Sequence, residues 1–194
     1  VTLLIGAGAG LAAAGAAESL AEDTRRGPAG GTPTSTSGEP LRVLILLSYG
    51  SEFAPYRDVA ARFRREFARR WPAPVEFHEV ALETARFDEA ELEAPFVSYI
   101  EALFAERKLD LVVDVGGAAT RFTNRHRARV FPSIPILHLG TDQRLVAPAL
   151  LGPLDATAPV ANDIPGQVEV ILELLPDLEN LAIVLGRSPL ERYW

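Results

Sequence analysis

The sequence predicts an α/β protein built on a Rossmann-like, doubly wound parallel sheet. Short, continuous apolar runs alternate with longer segments in which apolar residues recur at helical spacing. The first such run, LRVLILLS (41–48), is typical of a strand that is covered on both faces. Strands that alternate with helices of this length imply parallel pairing through right-handed crossovers, with helices on both sides of the sheet.

The strands are assigned from apolar runs bounded by turn residues. Strands are predicted at 41–48, 75–82, 109–115 and 134–140, a further buried strand at 180–186, and a short edge strand at 157–163.

Four helices are predicted between these strands. The first begins near Pro55. Its apolar residues form one stripe that is expected to face the core, made of Tyr56, Val59, Ala60, Phe63, Phe67 and Trp71. The second buries Phe96, Ile100, Leu103 and Phe104, and the third runs from Gly116-Gly117 to about Val130. The fourth has an Asn162/Asp163 cap and Pro165 in its first turn. Its apolar residues are expected to point into the core, namely Ile164, Val168, Ile171, Leu172 and Leu175.

The opening stretch VTLLIGAGAGLAAAGAAESLAED resembles both a dinucleotide-binding turn and an export signal. The dinucleotide fingerprint requires GxGxxG, but Leu11 stands where its third glycine belongs, and no second strand with an acidic end follows. An apolar run of small residues that ends in A-x-A-like sequences fits a signal peptide better. We therefore interpret residues 1–21 as the remnant of a signal peptide or membrane anchor.

Residues 22–40 are rich in Gly, Pro, Ser and Thr and are predicted to be a disordered linker. The signal peptide or anchor at 1–21 predicts a periplasmic location, on the extracytoplasmic side of the inner membrane.

Composition limits the partners. The formal net charge is −7, which gives no general electrostatic reason to expect nucleic acid. Basic residues cluster at 57–70 and 120–129, but both clusters interleave with apolar residues at helical spacing, so solvated helix faces are favoured over phosphate-binding patches. The chain has no cysteine, which excludes disulfides, thiolate metal sites and a cysteine nucleophile.

No catalytic set is recognisable. The sequence has neither a GxSxG elbow nor an HExxH metal motif, and its three histidines fall on different predicted elements. His78 and His138 are expected to be structural, and His126 to be exposed among arginines. Asp114 ends the third strand, where ligand binding, packing and capping all remain open. We expect no cofactor, no metal and no enzymatic activity in this segment.

The ends of three predicted strands carry the best candidates for a binding site. In open parallel sheets, ligands bind outside the carboxyl ends of the strands, where loop amides and helix N-termini converge. A tyrosine there can stack on a ligand, adjacent glycines allow close backbone approach, and a carboxylate can pair with a cation. The candidates are Ser48, Tyr49, Gly50, Gly116, Gly117, Ala118, Thr120, Thr141 and Asp142.

The order of these motifs resembles a known family. RVLILLSYGSEFAPYRDVAARFRREF, VALETARFDEAE, DLVVDVGGAATRFTNRHRARVFPSIPILHLGTD and NDIPGQVEVILELLPDLENLAIVLGRSPLERYW together resemble the extracytoplasmic sensor region of certain bacterial membrane histidine kinases. That region is similar to the ABC-transporter substrate-binding-protein-like family, which has the type I periplasmic binding fold.

The resemblance implies a two-lobed receptor for a small-molecule ligand. Residues 41–162 would form the first lobe, and 163–194 the crossover helix and first strand of an incomplete second lobe. It also implies a transmembrane helix and a kinase core downstream, and it allows a homodimer of the full-length protein. A solute-binding protein of a transporter is the alternative, although the lack of cysteine argues against a lipoprotein anchor.

Two further classes stay open. A cytoplasmic nucleotide-dependent enzyme would retain residues 1–21, and a structural domain would bind a protein partner in place of a small ligand.

Overall fold

The computed structural model of the chain describes residues 2–6, 39–84 and 89–184. Most of the predicted signal or anchor remnant (1–21) and of the linker (22–40), together with residues 185–194, lies outside this part.

Strands and α-helices alternate along most of the described chain. The strands are β1 (Thr2–Gly6), β2 (Leu41–Leu47), β3 (Val75–Ala81), β4 (Leu111–Val115), β5 (Ile136–Asp142), β6 (Asp155–Val160) and β7 (Asn180–Val184). The helices are α1 (Ala54–Arg70), α2 (Glu89–Leu103), α3 (Gly117–Val130) and α4 (Ile164–Leu174). The chain divides into two units, one of residues 22–160 and the other of residues 1–21 with 161–194.

The larger unit contains a five-stranded sheet in the order β3-β2-β4-β5-β6. Every pairing in it is parallel. The prediction of an α/β fold with a parallel, helix-flanked sheet is therefore confirmed, and β6 lies at the edge as predicted. The sheet agrees with a Rossmann-like doubly wound fold, in which successive crossovers move outward from a first central strand.

The two faces of the sheet are covered by different helices. Leu44 and Leu46 of β2 pack in one core cluster with residues of α2 and α3, among them Ile100 and Phe122. Val43, Ile45 and Leu47 alternate with them, so they point to the opposite face, and all are fully buried. There α1 packs against β4 and β5.

The boundaries of β5 differ from the prediction in a way that matters for the site. Pro135 cannot donate a ladder hydrogen bond, so the strand begins after it, although its carbonyl accepts from Val112 N at 3.0 Å. The strand then continues to Asp142 through an irregularity between Leu139 and Asp142, and Gly140 has φ +58°. Thr141 and Asp142, predicted to follow the strand, thus form its end.

The smaller unit pairs β1 with β7 in parallel, with Thr2 opposite Asn180. The opening apolar stretch thus contributes a strand, while its assignment as a signal or anchor stays a prediction. Asp163 caps α4 as predicted, because its carboxylate accepts from Gly166 N at 3.0 Å.

Two burial predictions for the smaller unit are wrong. Leu172 and Leu175 were expected to point inward, but they are 48% and 38% exposed. In β7, expected as a buried strand, Ile183 and Val184 are 48% and 52% exposed. A sheet of two strands offers too little apolar surface to cover both α4 and β7. The prediction assumed that β7 would be covered on both of its faces.

Candidate functional site

The carboxyl ends of three adjacent strands lie together, as the candidate site requires. β2, β4 and β5 are neighbours in the sheet, and Ser48 N donates to Val115 O at 3.1 Å, while Gly116 N donates to Leu139 O at 2.9 Å. Residues 48–50, 116–120 and 140–142 therefore form one cluster at one edge of the sheet, which we call the rim. The structure brings together all the candidate segments that the sequence indicated.

Ser48 is used internally within the rim. Its side chain is buried, and its hydroxyl donates to Val115 O at 2.8 Å and accepts from Ala119 N at 2.9 Å. The hydroxyl of Thr84 donates to Ser48 O at 2.7 Å. Ser48 thus joins the end of β2 to the end of β4 and to the first turn of α3, which fixes the rim.

Thr120 and Thr141 point into the protein and contact a buried carboxylate. The Thr120 hydroxyl lies 2.7 Å from Asp114 Oδ1, and the Thr123 hydroxyl donates to Asp114 Oδ2 at 2.6 Å. The hydroxyls of Thr120 and Thr141 are 2.7 Å apart. Because Thr120 gives its single hydroxyl hydrogen to the carboxylate, Thr141 is the donor in that pair. The role of Asp114, left open by the sequence, is to organise this network.

The network continues through His138. Its Nδ1 donates to Asp114 Oδ2 at 2.7 Å, and both side chains are fully buried. Its Nε2 lies 4.0 Å from Asp155 Oδ2, and Asp155 also lies 3.1 Å from Arg127 Nη1. The arrangement is a buried chain of alternating acidic and basic groups between α3 and the sheet, and it supports the structural role expected of His138.

Each of the other two histidines lies beside a glutamate. His78 lies 3.2 Å from Glu76 and packs edge-on against Phe104. His126 is not exposed as predicted, because its ring packs on Phe122 and its Nε2 lies 2.6 Å from Glu93 Oε1. Within residues 39–84 and 93–184, no three His, Asp or Glu side chains are grouped so as to hold a metal ion.

The glycines of the rim allow the protein's own side chains to approach closely. Gly116 has φ +85°, and a Cβ atom placed there would lie 2.5 Å from Tyr56 Cζ. A Cβ atom at Gly117 would lie 2.9 Å from Leu145 Cδ1, and one at Gly50 would lie 2.9 Å from Glu83 Oε1. The close approach expected for a ligand is thus made here by residues of α1 and of neighbouring loops.

The predicted tyrosine lies in an aromatic cluster. Tyr49 stacks on Tyr56 with ring centroids 5.4 Å apart, and both contact Phe53 edge-on. Burial raises the pKa of Tyr56 to about 12, although the positive charge of Arg121 acts in the opposite direction. The cluster covers the end of β4 on the α1 side of the sheet.

Asp142 has a partner within the chain. Its Oδ1 accepts from Arg144 Nε at 2.7 Å and its Oδ2 accepts from Arg144 Nη2 at 3.0 Å. It also accepts from Arg144 N at 2.9 Å, which caps the short helical turn Gln143–Leu145. A cationic ligand group would compete with this arginine for the carboxylate.

An open cleft lies beside the rim, between α2, α3 and the end of β3. It is shallow and open, because its empty volume of about 320 Å³ includes open solvent and only about 20 Å³ of it admits the centre of a water molecule. Its lining is mostly apolar and consists of Leu82, Thr84, Glu93, Phe96, Ala118, Phe122 and Arg125. Ala118 belongs to both the rim and the cleft, so the two regions are continuous.

A charged cluster lines one side of the cleft. Glu93 Oε1 lies 2.6 Å from Arg125 Nη1 and 2.6 Å from His126 Nε2. The hydrogen bond from Arg125 is the main cause that lowers the pKa of Glu93, with a smaller contribution from His126. Glu93 therefore carries its negative charge at neutral pH, and Arg125 presents a positive charge beside it.

The sequence indicated Ala118 but none of the other residues of the cleft. Phe96 was assigned to the core, and Arg125 to a solvated helix face. No sequence motif links the residues of the cleft, because they come from three elements that are distant from one another in the sequence. The only available signal was the position of Leu82 and Thr84, which follow a parallel strand at its carboxyl end.

Comparisons with known proteins do not add a family. No protein-family model matches the chain, and no curated protein matches it significantly. Among the described residues, no helix combines the length and the apolar character that crossing a membrane requires.

Proposed function

We propose that this chain is an extracytoplasmic small-molecule-binding sensor domain of a membrane histidine kinase. The observation that carries the proposal is the apolar cleft, which opens at the carboxyl edge of the parallel sheet and is continuous with the predicted rim. The larger unit would be the first lobe of a type I periplasmic binding fold. The motif order of residues 41–194 and the signal-like opening stretch support the same assignment.

The cleft favours a ligand with an apolar body and one polar end. Phe96 and Phe122 offer aromatic contact surface on α2 and α3, and Thr84, Glu93 and Arg125 supply the polar groups. Binding needs no chemical step, so the domain acts by a change of conformation. A second lobe would close over the ligand, and closure is favoured to the extent that the closed state binds more tightly.

Hydrogen exchange with a panel of small metabolites tests the proposal on the full chain. We expect one or more compounds to slow amide exchange in residues 82–84 and 93–97 together with residues 116–120. Protection confined to 48–50 and 140–142 would move the site from the cleft to the rest of the rim. If no compound protects any of these segments, the ligand-binding role is wrong.

A variant that fills the cleft provides a sharper test. Ala118→Leu places a larger side chain on the cleft wall and is expected to abolish the ligand-induced protection. Ala102→Leu makes the same change at an exposed position of α2 and should leave binding unchanged. Equal binding by both variants would exclude the cleft as the site.

The alternative function is a solute-binding protein of a transporter, which uses the same cleft. The gene sequence beyond the Trp194 codon separates the two. An apolar span of about 20 residues followed by a kinase core supports the sensor, whereas its absence supports the transporter component.

A further inference from the structure

The helix α1 carries a concentration of positive charge in an acidic protein. Its 17 residues include six arginines and two carboxylates, for a net charge of +4, although the whole chain carries −7. The remainder of the chain therefore carries −11. A net charge of this size creates a local positive surface potential along α1. The helix α3 has the same net charge of +4, but its Arg125, Arg127 and Arg129 pair with Glu93, Asp155 and Glu101.

The packing of α1 against the sheet determines which of its arginines face solvent. Tyr56 and Ala60 are buried against the sheet, and Phe63 and Phe67 both contact Phe77 of β3 edge-on. This aromatic packing fixes the rotation of the helix about its axis. On the opposite side, at helical spacing, lie three exposed arginines, Arg62, Arg65 and Arg69. We call these three residues the basic stripe.

The acidic residues near the basic stripe do not neutralise it. Glu66 accepts a hydrogen bond from Arg69 at 2.7 Å and lies 3.5 Å from Arg70. The pKa of Glu66 is lowered mainly by that hydrogen bond, then by the charges of Arg69, Arg70 and Arg62. Among the described residues, Arg65 has no ion-pair partner. One carboxylate thus faces an excess of arginines.

The C-terminal end of α1, which carries Arg69 of the basic stripe, lies near the start of β2. Leu41 N, at the start of β2, donates to Pro74 O at 2.9 Å, and Pro74 belongs to the short turn that follows α1. The predicted linker (22–40) directly precedes Leu41, and the predicted membrane anchor (1–21) precedes the linker. A flexible linker of this length spans about 25 Å on average, so an anchored protein would keep the end of α1 within reach of the lipid surface.

We infer that the basic stripe of α1 docks on an anionic lipid surface and orients the domain on the membrane. The inference rests on the membrane attachment contained in the proposed function. Phosphate-bearing lipid headgroups complement the guanidinium groups by charge and by hydrogen bonding. Each arginine adds a modest attraction, so the stripe orients a tethered domain without anchoring it alone.

Vesicle cosedimentation of the full chain tests this inference. We expect tighter partition to vesicles of phosphatidylcholine with phosphatidylglycerol than to phosphatidylcholine alone, and the difference should vanish at high salt. The apolar opening stretch acts on both kinds of vesicle, so the comparison isolates the electrostatic contribution. Arg62→Gln, Arg65→Gln and Arg69→Gln together should lower partition to anionic vesicles about 100-fold, since each arginine contributes about 1 kcal/mol.

The matched control is Arg107→Gln, Lys108→Gln and Arg129→Gln, which removes the same charge from other exposed positions. Equal partition to both vesicle types, or equal losses in both triple variants, would overturn the inference. Because neither triple variant changes a residue of the cleft, the metabolite-induced protection of residues 93–97 reports separately on the proposed function.

Discussion

The chain contains two carboxylate–histidine pairs of nearly equal length in very different surroundings. Asp114 and His138 are 2.7 Å apart and fully buried beneath α3, whereas Glu93 and His126 are 2.6 Å apart beside the open cleft, with 22% and 17% of their side chains exposed. The buried pair is tied to two threonines and faces Asp155, while the other pair joins an exposed arginine. The two carboxylate–histidine contacts are thus similar in length, but one belongs to a buried network and the other lies beside the open cleft.

The same contrast separates the rim from the cleft. The polar side chains of the rim bond within the protein, Ser48 to backbone groups, Thr120 to Thr141, and Asp142 to Arg144. The glycines of the rim make room for Tyr56 and Leu145. The cleft is apolar, and its charges lie near solvent. Polar residues at the ends of parallel strands can therefore fix the turns that define a site without contacting its ligand. The opening itself forms where α2 and α3 leave a space between them.

The largest effect is expected from removing the buried carboxylate. Asp114→Ala leaves His138 and two threonine hydroxyls without their acceptor and should lower the free energy of unfolding by about 3–5 kcal/mol. Glu93→Ala, the matched change at the cleft, should cost below about 1 kcal/mol because water solvates the groups left behind. Urea denaturation of both variants measures the difference. Equal losses would show that burial does not distinguish the pairs.

A smaller effect is expected at the glycines of the rim. Gly116→Ala puts a Cβ atom 2.5 Å from Tyr56 Cζ at φ +85° and should cost about 2–5 kcal/mol through strain and overpacking. Gly140 has φ +58°, but no described residue other than its chain neighbours lies within 4 Å of its Cβ position, so Gly140→Ala should cost only about 1 kcal/mol. Thermal unfolding of the pair checks the ranking. A larger loss at Gly140 would mean that Tyr56 does not fill the space at Gly116.

The smallest effect concerns the ionisation of Tyr56. Its pKa rises from 10.0 to about 12 in the folded protein, so above pH 10 the unfolded chain loses the proton first. The contribution of neutral Tyr56 to the free energy of unfolding is fully present below pH 10 and is lost as the pH rises toward 12. Between about pH 9 and about pH 11 the loss should be about 1 kcal/mol.

Tyr56→Phe keeps the ring contacts and removes the ionisable group. Its free energy of unfolding should fall less than that of the wild type over the same pH interval, since all other titrations are shared. Parallel pH profiles for the two proteins would contradict the buried position of this hydroxyl.

Part of the site could be predicted because it depends only on strand direction. The apolar runs identified the strands of the parallel sheet to within a few residues, and the carboxyl ends of neighbouring parallel strands share one edge. That reasoning placed residues 48–50 and 116–120 in one cluster. It could not place Phe96 and Arg125 beside Ala118, because the distance between α2 and α3 depends on how their side chains pack.

The sequence by itself determined the class of fold, the helix cap at Asp163 and the edge of the sheet at which a site belongs. These follow from local propensity, apolar periodicity and the handedness of crossovers, which act over short stretches. Only the tertiary structure decided that Thr120 and Thr141 serve a buried network and that Leu172 and Leu175 are exposed. Hydrogen-bond partners and burial depend on residues distant in the chain, and no local pattern records which of them meet.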